Sequence, residues 1–161
     1  MSTIAKPALP LETSAGYQIR LTHRLVQRAL QARIEPHGVS LGMWYYLRVL
    51  WDQDGLTQRE LSRSIGTMEP TTLSAIAGME RQGLVRRERN AADRRKINVF
   101  LTEKGRALEA RLMPLAIEVV DVATRGLTVE ERAQLLGMLR TMQRELRLDL
   151  DGREWDDVDP D

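Results

Sequence analysis

Apolar positions recur at helical intervals along most of the chain, and breaks in that pattern divide it into six predicted helices. The breaks fall where proline, glycine or a capping side chain interrupts the periodicity. Ser40 can cap the second helix, and Thr57 with Glu60, like Thr128 with Glu131, has the spacing of a capping box. The predicted helices cover about residues 14–35, 41–52, 57–66, 67–83, 102–125 and from 128 to about 150.

The fourth and last of these helices carry further signals. Thr67 is predicted to cap the fourth helix, and Pro70 lies in its first turn, where a missing N–H costs little. Pro114 predicts a kink in the fifth helix. The last helix has an apolar row that suits packing against another helix, either within the chain or across a subunit boundary. Its members are Leu135, Leu139, Met142 and Leu146.

Between the fourth and fifth helices the pattern changes from helical spacing to alternation. Leu84 and Val85 precede a polar centre at residues 90–95, and an alternating segment from Ile97 to Leu101 follows it. Two alternating segments around turn-prone asparagine and aspartate predict a β-hairpin.

Charge is concentrated on this hairpin. From Arg81 to Arg106 the chain has nine Lys or Arg and three Asp or Glu, whereas the whole protein has a net charge of +1. The last eleven residues hold six acids and one arginine, so they predict an acidic tail. Charge alone leaves two interpretations of the hairpin open, a solvated surface or a contact with a phosphate backbone.

Composition excludes several classes of protein. Hydrophobic residues make up 42% of the chain, enough for a core, and the absence of cysteine excludes disulfides, thiolate metal sites and cysteine nucleophiles. No apolar run approaches the roughly 20 residues of a membrane span, and no secretion signal precedes the first helix, so we expect a cytoplasmic protein without a membrane partner. His23 and His37 have no carboxylate cluster beside them. We therefore expect no metal, no cofactor and no enzymatic activity.

The order of the elements predicts a winged helix-turn-helix. Two short helices joined at Gly66-Thr67 are followed at once by the hairpin, and in this arrangement the second helix enters the major groove of DNA. Thr72, Ile76 and Met79 can face inward, which leaves the opposite side of that helix to contact bases and phosphates. An ordinary amphipathic helix is the alternative, and the basic hairpin argues against it. The fold class is therefore mainly α with a small β-wing.

Three motifs resemble those of the MarR family of transcriptional regulators. They are Glu80-Arg81-Gln82-Gly83-Leu84-Val85, Asp93-Arg94-Arg95 and Leu101-Thr102-Glu103-Lys104-Gly105, and the resemblance extends from about Gly16 to Leu150. It implies a homodimer, held by its N- and C-terminal helices, that presents two winged helices to a pseudo-palindromic operator. It also implies that Asp93 holds the wing and that Arg95 enters the minor groove, with Arg94 and Lys96 beside it. One departure is that Ser74 and Gly78 stand where many members have arginines.

The resemblance gives the predicted organisation its boundaries. Residues 1–12 are expected to be a flexible arm, 13–36 and 103–150 the dimerisation helices, 37–102 the winged helix-turn-helix, and 151–161 a flexible acidic tail. Residues expected to contact DNA come from both helices of the pair and from the wing. They are Gln58, Arg59, Thr67, Pro70, Thr71, Ser74, Arg81, Arg89, Arg94, Arg95 and Lys96.

Members of this family are typically released from DNA by a small molecule, so an effector such as an aromatic acid or its thioester is expected. Aromatic and basic side chains on the first two helices are its candidate ligands, although tryptophans on one helix face are also typical of a core. The candidates are Tyr17, Arg20, His23, Trp44, Arg48 and Trp51. Two other functions stay open, a repressor that needs no ligand and a winged helix that binds protein. The sequence does not distinguish a repressor from an activator.

Overall fold

The computed structural model describes residues 9–151, with only the backbone of residue 151. Within that range six α-helices and one two-stranded sheet follow each other in the predicted order. The helices are α1 (Ala15–Ile34), α2 (Leu41–Asp52), α3 (Gln58–Ile65), α4 (Glu69–Arg81), α5 (Glu103–Ala123) and α6 (Val129–Asp151). The strands β1 (Val85–Arg89) and β2 (Ile97–Leu101) lie between α4 and α5. The predicted fold class is confirmed.

The predicted helix starts are formed by local side chains. Ser14, Ser40 and Thr102 each accept a hydrogen bond from a backbone N–H of the first turn of α1, α2 and α5. Thr57 and Glu60 form the reciprocal capping box of α3, and Thr128 and Glu131 form the same pair of bonds before α6. Such bonds satisfy N–H groups that have no partner inside the helix.

The prediction that Thr67 caps α4 is wrong. Met68 occupies the cap position of α4 and makes no side-chain capping bond. The Thr67 hydroxyl instead lies 3.2 Å from the hydroxyl of Tyr46 and 3.1 Å from that of Thr72. Pro70 lies in the first turn, as predicted, and its ring helps to start the helix without a cap.

The hairpin is antiparallel, with Val85 opposite Leu101 and Arg89 opposite Ile97. A short segment before α3 extends the sheet on the free side of β2. The N–H of Gly55 donates to the Val99 carbonyl at 3.1 Å, and the N–H of Val99 donates to the Leu56 carbonyl at 2.8 Å. The wing is therefore joined to the start of the helix pair by backbone hydrogen bonds.

The buried core lies in the central part of the chain. It combines the end of α1, the inner faces of α2, α3 and α4, the base of the wing and part of α5. α6 contributes no residue to it and packs only marginally against the rest of residues 9–151. Pro114, predicted as a kink, lies inside α5, which is continuous on both sides of it and ends at Ala123, two residues before the predicted end.

Two predicted segments fall largely outside the described residues. The predicted flexible arm is described only from residue 9, and Leu11–Thr13 within or beside it form a short 3-10 turn. The predicted acidic tail lies outside the described range apart from the backbone of residue 151. Between residues 9 and 151 the structure contains no helix with the length and apolar composition of a bilayer span.

Candidate nucleic-acid interface

The α3–α4 pair turns sharply at Gly66. Its φ of 73° is left-handed, a conformation that glycine adopts without steric cost, so the chain can reverse between the two helices. α4 then packs one face into the core, where Thr72, Ile76 and Met79 are each 0% exposed, as the sequence predicted. Pro70, Thr71, Ser74 and Arg81 are exposed on its other sides.

A buried group of hydroxyls sets the position of α4. The Thr72 hydroxyl lies within 3.1 Å of those of Tyr46 on α2 and Thr67 in the turn, and accepts a 2.8 Å bond from Ser62 on α3. Four hydroxyls that satisfy one another away from water form a directional contact between these elements. Thr67, a predicted DNA contact, is therefore occupied by partners inside the protein.

Gln58, another predicted DNA contact, is also turned away from solvent. Its amide nitrogen is buried and has no hydrogen-bond partner within residues 9–151. Arg59, by contrast, is exposed and forms an ion pair with Glu69 at 3.5 Å, which joins the first turns of α3 and α4.

The wing tip is built around Asn90 and Asp93. The side-chain oxygen of Asn90 accepts the N–H groups of Ala92 at 2.9 Å and Asp93 at 3.0 Å, which is the local bonding that favours asparagine in turns. Asp93 in turn accepts both the backbone N–H and the guanidinium of Arg95, each at 3.1 Å. The hydrogen bond from the Arg95 side chain lowers the pKa of the Asp93 carboxyl most, and the bond from the Arg95 backbone lowers it further. Asp93 therefore stays ionised beside the arginine.

Asn98 connects this tip to the helix pair. Its side-chain oxygen accepts from the Asn90 amide at 2.9 Å, and its own amide donates to the Gly55 carbonyl at 2.6 Å. Neither residue was predicted as functional, because a polar residue inside a hairpin has no distinctive sequence signal. The three groups form a relay of hydrogen bonds from the tip to the loop before α3.

A second connection joins α4 directly to the wing. The Glu80 carboxylate near the end of α4 accepts the Arg87 guanidinium at 2.7 and 2.9 Å. The backbone N–H of Arg87 also donates to Glu80 at 3.3 Å. The Arg87 side-chain bonds are the main cause of a lowered pKa of Glu80. The sequence did not predict this pair, since α4 and β1 pack together only in the fold.

Replacing Glu80 by glutamine is expected to reduce stability only where Glu80 is ionised. A lowered folded-state pKa contributes stability that is present above the unfolded pKa and lost as the pH falls through the folded value. The pair is about one-third exposed, so the difference at pH 7 should be no more than about 1 kcal/mol. Urea midpoints of the two proteins should differ at pH 7 and converge as the pH falls through the lowered pKa of Glu80.

The control for this experiment is Glu109→Gln, which changes an exposed glutamate on α5 with no ion pair within the described residues. This variant should have the same urea midpoint as the wild type at each pH. A Glu80→Gln difference that does not shrink as the pH falls would show that the ion pair is not its source.

Most of the remaining predicted contacts are exposed cations. Arg81, Arg89, Arg94 and Lys96 are exposed and form no ion pair with any described residue. Lys96 lies close enough to help lower the pKa of Glu60 at the start of α3, although the hydrogen bonds from Thr57 are the larger cause. Since both acids of α4, Glu69 and Glu80, are paired with arginines, the unpaired charge of α4 and the wing is positive.

The wing base is fixed by the start of α5. The Thr102 hydroxyl donates to the Gly83 carbonyl at 2.6 Å and accepts from the N–H of Gly105 at 3.1 Å. The Nε1 of Trp51 donates to the Gly105 carbonyl at 3.0 Å. The Leu-Thr-x-x-Gly motif therefore joins the end of α4, the wing and α5 at one point.

The candidate effector residues form two groups. Tyr17 and Arg20 line an open depression of about 200 Å³ together with Leu21 and Arg24, so its lining within the described part of the chain comes from α1 alone. His23 is exposed on the same helix and does not line it.

The second group lies on α2. Trp44 and Trp51 pack edge to face with ring centroids 5.6 Å apart, and the Arg48 guanidinium lies 6.0 Å from the Trp44 ring. Trp44 is 4% exposed and belongs to the core. The sequence left a core role for the tryptophans open as an alternative to ligand binding, and their packing agrees with that alternative. Neither tryptophan lines the depression on α1.

The domain has three parts: the α3–α4 pair, the β1–β2 wing bonded to the loop before α3, and a set of exposed cations. Together they define a winged helix-turn-helix DNA-binding domain, which α1, α5 and α6 extend. The sequence profile of the MarR family matches residues 39–97, which include the helix pair and most of the wing. The transcriptional regulator HosA of Escherichia coli is 32% identical over 83% of this chain and 98% of its own length. The chain belongs to the MarR family of DNA-binding transcriptional regulators.

Other similarities agree with this assignment. The chain is 32% identical to the regulator TtmR of Methylorubrum extorquens over 74% of its length, and the match spans 60% of TtmR. A MarR regulator from Methanosarcina mazei has a TM-score of 0.77 and 31% identity, over 83% of this chain and 96% of its own.

Two solved structures of relatives concern DNA binding and its regulation by a small molecule. The repressor CouR, bound to a 23-mer DNA duplex, has a TM-score of 0.76 and 28% identity, over 85% of this chain and 99% of its own. BpsR of Bordetella bronchiseptica, whose DNA binding is regulated by 6-hydroxynicotinic acid, has a TM-score of 0.73 and 25% identity, over 80% of this chain and 97% of its own.

Proposed function

We propose that the protein is a homodimeric repressor that binds a pseudo-palindromic operator through α4 and the wing and is released by a small aromatic anion. The observation that carries the DNA contact is the set of exposed, unpaired cations on α4 and the wing. The roles expected of Pro70, Thr71, Ser74 and Arg81 fit their exposure. The Thr67 hydroxyl is held by partners inside the protein and the amide nitrogen of Gln58 is buried, so these two residues are left out of the proposed contact.

An exposed apolar surface on the outer helices supports the dimer. Leu25 on α1 is 57% exposed, Val120 on α5 is 55% exposed and Leu146 on α6 is 60% exposed. An extended apolar surface of this kind marks an interface, and α6 finds almost no partner within its own chain. A second copy covers these helices in the proposal, with Leu135, Leu139, Met142 and Leu146 in its contact. Residues 13–36 and 103–150 are then the dimerisation region, as the predicted organisation places them.

Footprinting on the DNA upstream of the protein's own gene tests this proposal. A two-fold dimer should protect two half-sites about one helical turn apart, and sedimentation at the same concentrations should show twice the chain mass. Protection should weaken steeply with salt, because each neutralised phosphate releases counterions. A monomer, or a protein that protects no discrete site but binds another protein, would overturn it and favour the protein-interaction module.

The effector is proposed to bind the depression on α1. Arg20 and Arg24 form no ion pair within the described residues, and Tyr17, 40% exposed, offers an aromatic wall to a ring that carries a carboxylate. A depression lined by a single helix needs a second wall to enclose a ligand, and the proposed dimer supplies one. The regulation of BpsR by 6-hydroxynicotinic acid supports an effector of this chemistry.

Titration with hydroxylated aromatic acids is expected to release the operator, which is measured as the loss of the footprint at increasing concentrations of the acid. Arg20→Gln with Arg24→Gln should shift the releasing concentration upward about tenfold or more, since a charged hydrogen bond is worth roughly 1.5–3 kcal/mol. Arg140→Gln is the control, an exposed arginine on α6. Operator binding that no such acid affects would favour a repressor without a ligand.

A further inference from the structure

One large apolar side chain of α4 is left outside the core. Leu73 is 44% exposed, whereas Ile76 and Met79 on the same helix are 0% exposed. Leu73 directly follows the buried Thr72 and precedes the exposed Ser74, so it lies at the edge of the surface that α4 leaves open. Nothing in the local fold explains an exposed leucine there, because the helix would form equally well with a polar residue.

The neighbours of Leu73 make this flank of α4 locally neutral. Glu69, Leu73, Ala77 and Glu80 follow one another at helical spacing along one side of the helix. The two acids at its ends are paired with Arg59 and Arg87, at 3.5 and 2.7 Å. The middle of the row, Leu73 and Ala77, therefore presents an apolar surface between two neutralised charges.

Only one group in the major groove matches such a surface. Each base pair displays donors and acceptors there, and the C5-methyl of thymine is the apolar exception. We propose that Leu73 packs against a thymine methyl and so specifies thymine at one position of each half-site. This inference rests on the proposed insertion of α4 into the major groove, and it adds an apolar specificity determinant to a helix that lacks central arginines.

Single replacement of each operator thymine by deoxyuridine tests the contact, since it removes the methyl and keeps the hydrogen-bonding groups. The duplex is the footprinted upstream site. The wild-type protein should lose about four-fold in affinity at one position of a half-site, and about fifteen-fold when both half-sites are changed, from the loss of one buried methyl each. Leu73→Ala should bind the thymine and uracil duplexes equally well.

Ser74→Ala is the matched control, an exposed neighbour on α4 that should keep the full penalty for uracil at that position. Thermal unfolding should show that Leu73→Ala is folded, with a melting temperature within a few degrees of the wild type, because Leu73 is 44% exposed and only part of its side chain loses a buried contact. A wild type that tolerates uracil everywhere, or a Leu73→Ala protein that keeps the penalty, would overturn the contact while the thymine duplex is still bound. Failure to bind the thymine duplex at all would instead count against the proposed mode of DNA binding.

Discussion

Replacement of Arg95 by alanine is expected to weaken operator binding about 30-fold, if each half-site loses about 1 kcal/mol. The side chain is 90% exposed at the wing tip and held by Asp93, so its position is set before DNA arrives. A narrow minor groove has an enhanced negative potential, which attracts a guanidinium placed there. Loss of the arginine also leaves the Asp93 carboxylate unpaired at a surface that meets DNA.

Two measurements distinguish this role from a general loss of charge. The slope of log affinity against log salt should fall by about 1.8, which corresponds to one phosphate-equivalent in each half-site. Thermal unfolding should change little, because Arg95 is 90% exposed and an ion pair at the surface contributes little to stability. Arg125→Ala is the matched control, since that exposed arginine lies beyond the end of α5, whose 21 residues span about 30 Å from the wing base.

The control should keep both the affinity and the salt slope. Arg95→Lys should give an intermediate loss, because lysine keeps the charge but not the paired geometry with Asp93. An Arg95→Ala protein with wild-type affinity and slope would exclude Arg95 as the minor-groove contact and leave Arg89 and Arg94 as candidates.

Replacement of Gly105 by alanine is expected to cost about 3 kcal/mol of stability and to lower the melting temperature by about 6–12 °C. A Cβ at this buried position would overlap the carbonyl oxygen of Leu84 and lie 3.1 Å from its carbonyl carbon. Both atoms belong to backbone that Thr102 holds through bonds to Gly83 and Leu84. Relief of the overlap requires α5 to move away from the wing base.

Operator affinity should fall with stability in this variant, because the same junction fixes the wing. Gly42→Ala is the matched control: it also changes a glycine in the first turn of a helix, and its Cβ would meet nothing closer than 3.9 Å. That variant should be as stable as the wild type or slightly more so. The comparison requires equal protein concentrations, since dimer formation would make the melting temperature depend on them. A Gly105→Ala protein that melts within about 2 °C of the wild type would show that the junction adapts.

Two connections fix the wing relative to the helix pair. Glu80 with Arg87 and the relay through Asn98 join the wing to α4 and to the start of α3. A wing held at two points places its cations at a set distance from α4, the helix proposed to enter the major groove. The proposed readout then combines shape sensed by Arg95 with the small and apolar side chains of α4, Ser74 and Leu73 among them.

The sequence does not decide whether Trp44 and Trp51 bind an effector or belong to the core. Their spacing on α2 predicts a shared face, which the edge-to-face packing of Trp44 and Trp51 agrees with. The same spacing suits a core and a ligand wall equally well. Only the fold shows that Trp51 donates to the Gly105 carbonyl and that Trp44 is buried.

The sequence by itself determined the elements whose stabilising bonds are local. Every confirmed cap joins residues within three positions of each other, and the buried face of α4 follows from the helical repeat alone. The tertiary structure decided what depends on partners distant in the chain. The Thr67 hydroxyl contacts that of Tyr46, 21 residues away, and does not cap α4 as predicted. Asn98 donates a hydrogen bond to Gly55, 43 residues away. Gly105 must lack a side chain because the Leu84 carbonyl packs against it. A local pattern records which bonds a residue can form, and only the packed chain determines which partner is within reach.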